Sequence, residues 1–215
     1  MMWGFPMQVT LKDLVIYLRP MLKTELAEML PKFNRASIHR WTMGQYAQSM
    51  ASEEAWFDRV SNDTGSRHWA ISVDMDSPPI GITGLHDISN VNMSASSGII
   101  IWDEDMWGKG VATRAHLART LVAANNLNLC TIKSSARVAN GASRSALERV
   151  GYTTWGIEPR SHFREGGWLD TAQLVWFNPE RVQLLYPQGI PDEFQKGIQR
   201  AKEALTLAHD VVTYL

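Results

Sequence analysis

The sequence predicts an α/β fold built on one mixed sheet, and three observations carry that reading. Apolar runs of strand character alternate with helical periodicity in the order strand pair, two helices, three strands, helix, strand, helix, two strands. That order lacks the regular βαβ alternation of a doubly wound dinucleotide fold. Finally, Trp107-Gly108-Lys109-Gly110-Val111-Ala112-Thr113 sets two glycines two apart, after an apolar run and directly before a helical segment.

Taken in chain order, Val9 and Leu11, then Leu14 to Leu18, read as two strands turning near Lys12-Asp13. Leu22, Leu26 and Leu30 recur every fourth residue, giving a short helix that Pro31 is expected to end. Residues 34–50 are ambiguous, with Ile38, Trp41, Tyr46 and Met50 suggesting a helix or helical loop. Ser52 reads as an N-cap ahead of Glu53 and Glu54, with Trp56, Phe57 and Val60 as the apolar stripe of the second helix. Two strands follow, Trp69 to Val73 and Ile80 to Leu85, joined by aspartates, serine and prolines suited to a turn. Gly98 to Trp102 is apolar on both faces and so belongs in the middle of the sheet.

Val111, Ala115, Ala118, Leu121 and Val122 then place a helix directly after the glycine run. Leu129 to Ile132 is a buried strand, Ala142 to Val150 a short helix closed by Gly151. Tyr152 to Ile157 and Trp168 to Phe177 are the last two strands, antiparallel across the Ser161–Gly167 loop. Glu193 to Tyr214 forms a separate amphipathic helix, with Phe194, Ile198, Ala201, Leu205, Ala208 and Val212 on one face; it docks on its own domain or on a second subunit.

At 215 residues the chain is one domain with an appendage. A net charge of −1 provides no global field toward nucleic acid or a membrane, so neither is expected as a partner. No apolar run approaches the ~20 residues that span a bilayer, and the start, Met1 to Pro6, lacks the parts of a signal peptide. The single cysteine, Cys130, cannot form an internal disulfide, which fits a reducing, cytoplasmic compartment. The six histidines show no ligand spacing, so no metal is expected.

The glycine run carries the chemistry. Glycines at a helix start let several unpaired N–H groups and the helix dipole approach an anion closely, which suits a pyrophosphate. Gly108, Lys109, Gly110, Val111, Ala112 and Thr113 supply the donors, while Lys109 either adds charge or points into water. A P-loop is excluded because its G-x-x-x-x-G-K-S/T spacing is absent; a dinucleotide fingerprint is disfavoured because Thr113 stands at the sixth place.

These residues, with Asn140-Gly-Ala-Ser143 and Gly151-Tyr152, resemble the GNAT superfamily of acetyl-CoA-dependent N-acetyltransferases, and more closely its Rim-type branch. Gly110 and Ala112 fill the last two defined places of the superfamily's Gln/Arg-x-x-Gly-x-Gly/Ala loop, and Trp107-Gly-Lys-Gly-x-Ala-Thr is a Rim-type spelling. The resemblance runs from about Tyr17 to about Phe177 and implies a GNAT fold: a single mixed central sheet with splayed middle strands, flanked by helices, here with a C-terminal helix. Residues 1–179 are then the acetyltransferase domain and 180–215 a helical extension, through which a homodimer is one option.

The resemblance also implies roles. Ile99–Asp103 is the strand edge that pairs with the pantetheine arm, with Trp102 as the residue whose backbone meets it. Asn140 caps the following helix and partners the pantetheine amides. Many relatives protonate the leaving thiolate with a tyrosine; Leu147 stands there, and Ser143 is the Rim-type alternative acid. Aligned with the branch's Ala-Glu-x-Gly pattern is Ser96-Ser97-Gly98-Ile99, where Ser97 replaces the glutamate base. Asp87, with His86 beside it, is the replacement candidate; an amine already partly neutral at pH 7 needs no strong base. Arg35, His39 and Arg40 form either a solvated face or a site for an acidic acceptor. The expected reaction is acetyl transfer from acetyl-CoA to a primary amine, on a protein N-terminus or a small molecule. A non-catalytic CoA-binding sensor or interaction module is the alternative, and transfer of a longer acyl group is a further option.

Overall fold

A computed structural model describes residues 3–42, 44 and 46–215. Met1, Met2, Met43 and Gln45 lie outside the described residues, so the expectations for the chain start and for residues 34–50 are answered only by their neighbours. The sheet among the described residues has nine strands: β1 (Met7–Leu11), β2 (Leu14–Arg19), β3 (Arg67–Ser72), β4 (Gly81–Ser89), β5 (Ser94–Ile101), β6 (Thr131–Arg137), β7 (Thr153–Arg164), β8 (Gly167–Phe177) and β9 (Val212–Tyr214). Their spatial order is β7-β8-β6-β5-β4-β3-β2-β1-β9. Every neighbouring pair is antiparallel except the central β5 and β6, which run parallel.

Helices cover both faces. On one side, α1 (Leu26–Phe33), α2 (Ala36–His39) and α3 (Met50–Asn62) bury Leu26, Met29 and Ile38 with Ala70 and Trp102. On the other, α4 (Val111–Asn125) and α5 (Gly141–Arg149) share the larger core with α7 (Asp192–Val211), while α6 (Val182–Leu185) joins a smaller cluster around Phe177. Helix α4 is buried along nearly its whole length, Arg114, His116 and Arg119 included.

Three local expectations change. Pro31 lies inside α1 rather than ending it, because its missing N–H costs one bond in the last turn while Asn34 N–H still closes on Leu30 O. Helix α3 starts earlier, with Ser49 as N-cap; Ser49 Oγ accepts from Ser52 N–H at 3.2 Å and Ser52 Oγ from Ser49 N–H at 3.1 Å, a reciprocal capping box. The C-terminal helix stops at Val211, and Val212–Tyr214 turns into an edge strand beside β1. Of the two docking modes expected for that helix, the structure shows the first: Ala201, Ala204, Leu205 and Ala208 are buried in the chain's own core. A Cβ on Gly197 would lie 1.9 Å from Thr153 Oγ1, so α7 presses its backbone onto the start of β7.

Candidate active site

The pairing of β5 with β6 spans only Ser94 to Ser96, after which the two parallel strands part. Two hydroxyls stitch the vertex: Ser97 Oγ donates to Lys133 O at 3.2 Å, and Ser134 Oγ donates to Ser97 O at 3.3 Å. Beyond it β5 has an open edge. Met93 O accepts from Thr131 N–H, Ser97 O from Ser134 Oγ, and Ile101 O from the Trp107 indole N–H at 2.9 Å. Strand alternation therefore turns Ile99, between Ser97 and Ile101, toward the same gap, where no strand pairs with it.

This moves the expected pairing off Trp102. Its N–H donates to Ile80 O at 3.0 Å, its indole N–H donates to Pro79 O at 2.8 Å, and its side chain is fully buried on the opposite face. The backbones facing the gap are those of Ile99 and Ile101.

The gap widens toward the carboxyl ends of β5 and β6, and each leads into a helix start, α4 on one side and α5 on the other. Parting strands with helix N-termini at their carboxyl ends form an anion-attracting crevice. Gly110 caps α4 with φ +82°, a left-handed conformation that favours glycine, and Gly108 lies at φ +74° with open space where a side chain would sit. Among the described residues, the N–H groups of Gly108, Lys109, Gly110, Val111, Ala112 and Thr113 have no acceptor. Thr113 Oγ1 is buried without a partner. The Lys109 side chain is exposed.

What holds the loop is Arg114, which sequence reasoning missed. Its buried guanidinium donates to Lys109 O at 3.3 Å and Gly110 O at 3.2 Å, and also to Leu14 O at 3.2 Å and to Leu11 O. The loop carbonyls thus turn inward onto a cation, and their hairpin partners anchor that cation from the β1–β2 turn. A charged residue in a helix otherwise buried on every side was the available signal.

On the second strand, Asn140 caps α5 by accepting Ser143 N–H on Oδ1 at 3.1 Å. Asn140 Nδ2 and Ser143 Oγ have no partner among the described residues. Leu147 is buried in the core. Asp87 lies elsewhere: it sits in the β4 bulge at φ 53°, level with the paired end of β5, with its side chain 81% exposed and bound to His86 Nδ1 at 3.0 Å. Asn140 and Ser143 thus stand at the start of α5, which follows β6 as the glycine run follows β5, while Asp87 stands on β4 level with the paired end of β5. Ser97, in the glutamate's place, is buried at the vertex.

The β7–β8 hairpin tip and the end of β6 meet Arg40, Thr42 and Gly44. Arg40 pairs with Glu165 at 2.6 Å, Arg164 donates to Gly44 O at 2.7 Å, and Arg137, at the end of β6, donates to Thr42 O at 3.2 Å. Arg35 pairs with Glu104 at 3.6 Å, so two members of the basic group predicted around His39 are engaged in ion pairs. No cluster of three or more metal-ligating side chains occurs among the described residues, and none of their helices is long and apolar enough to cross a membrane.

Comparison with known proteins agrees with this geometry. The profile described as "Acetyltransferase (GNAT) domain" matches residues 16–153, well over half of the chain. Solved structures share the fold. Spermidine N-acetyltransferase from Vibrio cholerae, in complex with CoA and spermine, superposes with a TM-score of 0.67 at 23% identity, covering 75% of this chain and 95% of that one. Mycobacterium smegmatis RimJ, in complex with CoA-disulfide, superposes with a TM-score of 0.69 at 19% identity, covering 99% of this chain and 98% of that one. No curated protein matches the sequence.

Proposed function

Because the chain belongs to the GNAT acetyltransferase family, we propose that it transfers an acetyl group from acetyl-CoA to a primary amine, as a Rim-type N-acetyltransferase. One observation carries the reading: six consecutive unpaired N–H groups at the α4 start stand at the mouth of an open strand edge. Those are the two things the donor needs, anion donors for its pyrophosphate and a strand partner for its pantetheine arm. In this reading Gly108 to Thr113 hold the pyrophosphate, and Ile99 and Ile101 pair with the arm. Asn140 Nδ2 donates to a pantetheine carbonyl.

The chemistry then needs two proton movements. The amine attacks the thioester carbonyl, the C–N bond forms and the C–S bond breaks, with the electron pair passing to sulfur. Ser143 Oγ gives the thiolate its proton. An amine that arrives as the free base needs no strong base, and loss of its extra proton to water completes the reaction. Asp87, exposed and bound to His86, is assigned at most the capture of an incoming ammonium.

The acceptor is a protein N-terminus or a small amine, in a cytoplasmic setting. Incubation with acetyl-CoA and a panel of peptides and amines, read by free-thiol release and by mass spectrometry of the products, tests this. Acetylated amine with stoichiometric thiol is expected. CoA binding without thiol release for any amine would favour the sensor reading, which the serine in place of the glutamate supports.

A further inference from the structure

Beneath the vertex lies a charge that the reaction above does not use. Arg119, on α4, is fully buried, and no carboxylate pairs with it among the described residues. Its partners are all neutral: Nη1 donates to Thr83 Oγ1 at 2.9 Å and Gly98 O at 3.0 Å, and Nη2 donates to Tyr152 Oη at 3.3 Å. Tyr152 is itself 1% exposed, and its hydroxyl lies 3.3 Å from Ser97 Oγ. His116, its neighbour on α4, adds no charge, because burial and then the nearby Arg119 hold its pKa far below the usual range. An unpaired buried cation is costly, and an apolar residue of similar volume would pack there more favourably.

The direction of this chain follows from valence. A guanidinium only donates. Tyr152 Oη therefore accepts from Arg119, and its own hydrogen goes to Ser97 Oγ. Ser97 then has one hydrogen left, which it gives to Lys133 O across the vertex. Rotation of that hydroxyl swings the hydrogen from Lys133 O into the gap. Every hydrogen in the chain points away from the cation and toward the gap's inner end.

In the acetyl-CoA reading the thioester reaches that end. From Ile101, beside the glycine run, back to Ser97 is four residues of β5, or about 13 Å of strand, a span suited to an extended pantetheine arm. We propose that Arg119, Tyr152 and Ser97 form a polarised donor chain whose last hydrogen bonds the sulfur of bound CoA and stabilises the negative charge it gains as the C–S bond breaks. The proposal rests on the acetyl-CoA reading above. No proton is transferred along the chain; Ser143, at the α5 start, protonates the sulfur afterwards, as CoA withdraws from the vertex. Ser97 touches the reacting atom, while Arg119 and Tyr152 are positioning residues.

The test uses CoA alone, without an acceptor, and reads the ultraviolet absorbance of its thiolate as a function of pH on the full chain. Bound to the wild type, the thiol should titrate about one pH unit below free CoA, and Ser97→Ala and Tyr152→Phe should each return it to the free value. In turnover the same variants should lose about tenfold to a hundredfold in kcat with little change in KM for acetyl-CoA. Tyr152→Phe is conservative and guards against an Arg119 variant that fails to fold. A bound thiol that titrates identically in wild type and variants would overturn the proposal, even if the variants melt at lower temperature. Failure of the wild type to bind CoA would overturn the acetyl-CoA reading and this proposal with it.

Discussion

Replacing Arg114 with methionine keeps the apolar stem and removes the charge and all donors. Four carbonyls lose a partner: Lys109 O and Gly110 O in the loop, Leu11 O and Leu14 O in the β1–β2 turn. Gly110 O retains the helical bond from Arg114 N–H at 3.2 Å, and Lys109 is exposed enough for water to replace its bond. The stability loss therefore comes chiefly from the two hairpin bonds. At about 1.5–3 kcal/mol for each hydrogen bond to a charged group, discounted for water at an exposed turn, Arg114→Met should cost roughly 2–4 kcal/mol. The effect on the cofactor is separate. Once the Lys109 and Gly110 carbonyls are no longer drawn inward, one or two of the donors lose their aim, worth about 1–3 kcal/mol, or about tenfold to a hundredfold in Kd for CoA. Isothermal titration calorimetry at a temperature where the variant is folded reads that change. KM for acetyl-CoA should rise in parallel while kcat at saturation stays, because the pyrophosphate is remote from the reacting carbonyl. A lowered melting temperature with unchanged CoA affinity would refute the argument and reduce Arg114 to a structural strut.

Ser143→Ala should lower kcat by about 10²–10⁴-fold with KM for acetyl-CoA unchanged, and full steady-state turnover in that variant would remove Ser143 as the acid. Asp87→Asn should change kcat by less than about threefold, since its side chain is 81% exposed and already held by His86; a loss on the order of a hundredfold would restore it as the base. Gly197→Ala normally gains about 1 kcal/mol in a helix interior, but here the new methyl meets Thr153 and Gly151 O, so chemical denaturation should show a net loss of about 1–2 kcal/mol. His68, half-buried between Trp3 and Trp56, has its pKa lowered from 6.5 to about 4, first by partial burial and then by His86. The unfolded chain then binds the extra proton between those values, so this contribution is complete above pH 6.5. It is lost as pH falls toward 4, on the order of 3 kcal/mol in all, and His68→Phe should flatten the denaturation profile over that window.

Most of the sheet could be read from the chain because apolar periodicity and turn residues agree at nearly every element. Where they failed, the cause is specific. Strand β5 begins at Ser94, five residues before the first of its isoleucines, a start the sequence hides because Ser94, Ser96 and Ser97 carry no apolar signal; the pairing of Ser94 to Ser96 with β6 is a matter of tertiary neighbours. Ser52 resembles an N-cap as strongly as Ser49 does, and only the reciprocal bonds decide between them. The glycine run, Asn140 and Ser143 were legible as motifs because local spacing defines them. Arg114 and Arg119 were not, since each acts through partners distant in sequence, and Tyr152 was legible in Gly151-Tyr152 without its bond to Arg119. Trp107 falls between: its place in the motif was visible, and its bond to Ile101 O was not.

The Arg114 bridge also bears on the order in which the molecule assembles. Its bonds to Leu14 and Leu11 close over 100 and 103 residues of chain, whereas the glycine turn itself is local. The turn can bend as soon as its residues exist, but its carbonyls acquire a fixed direction only after the first hairpin has docked. Contacts of such long range form late in folding. The donor pocket is therefore among the last parts of the protein to reach working shape. A refolding chain should regain its helical signal before it regains the capacity to bind CoA.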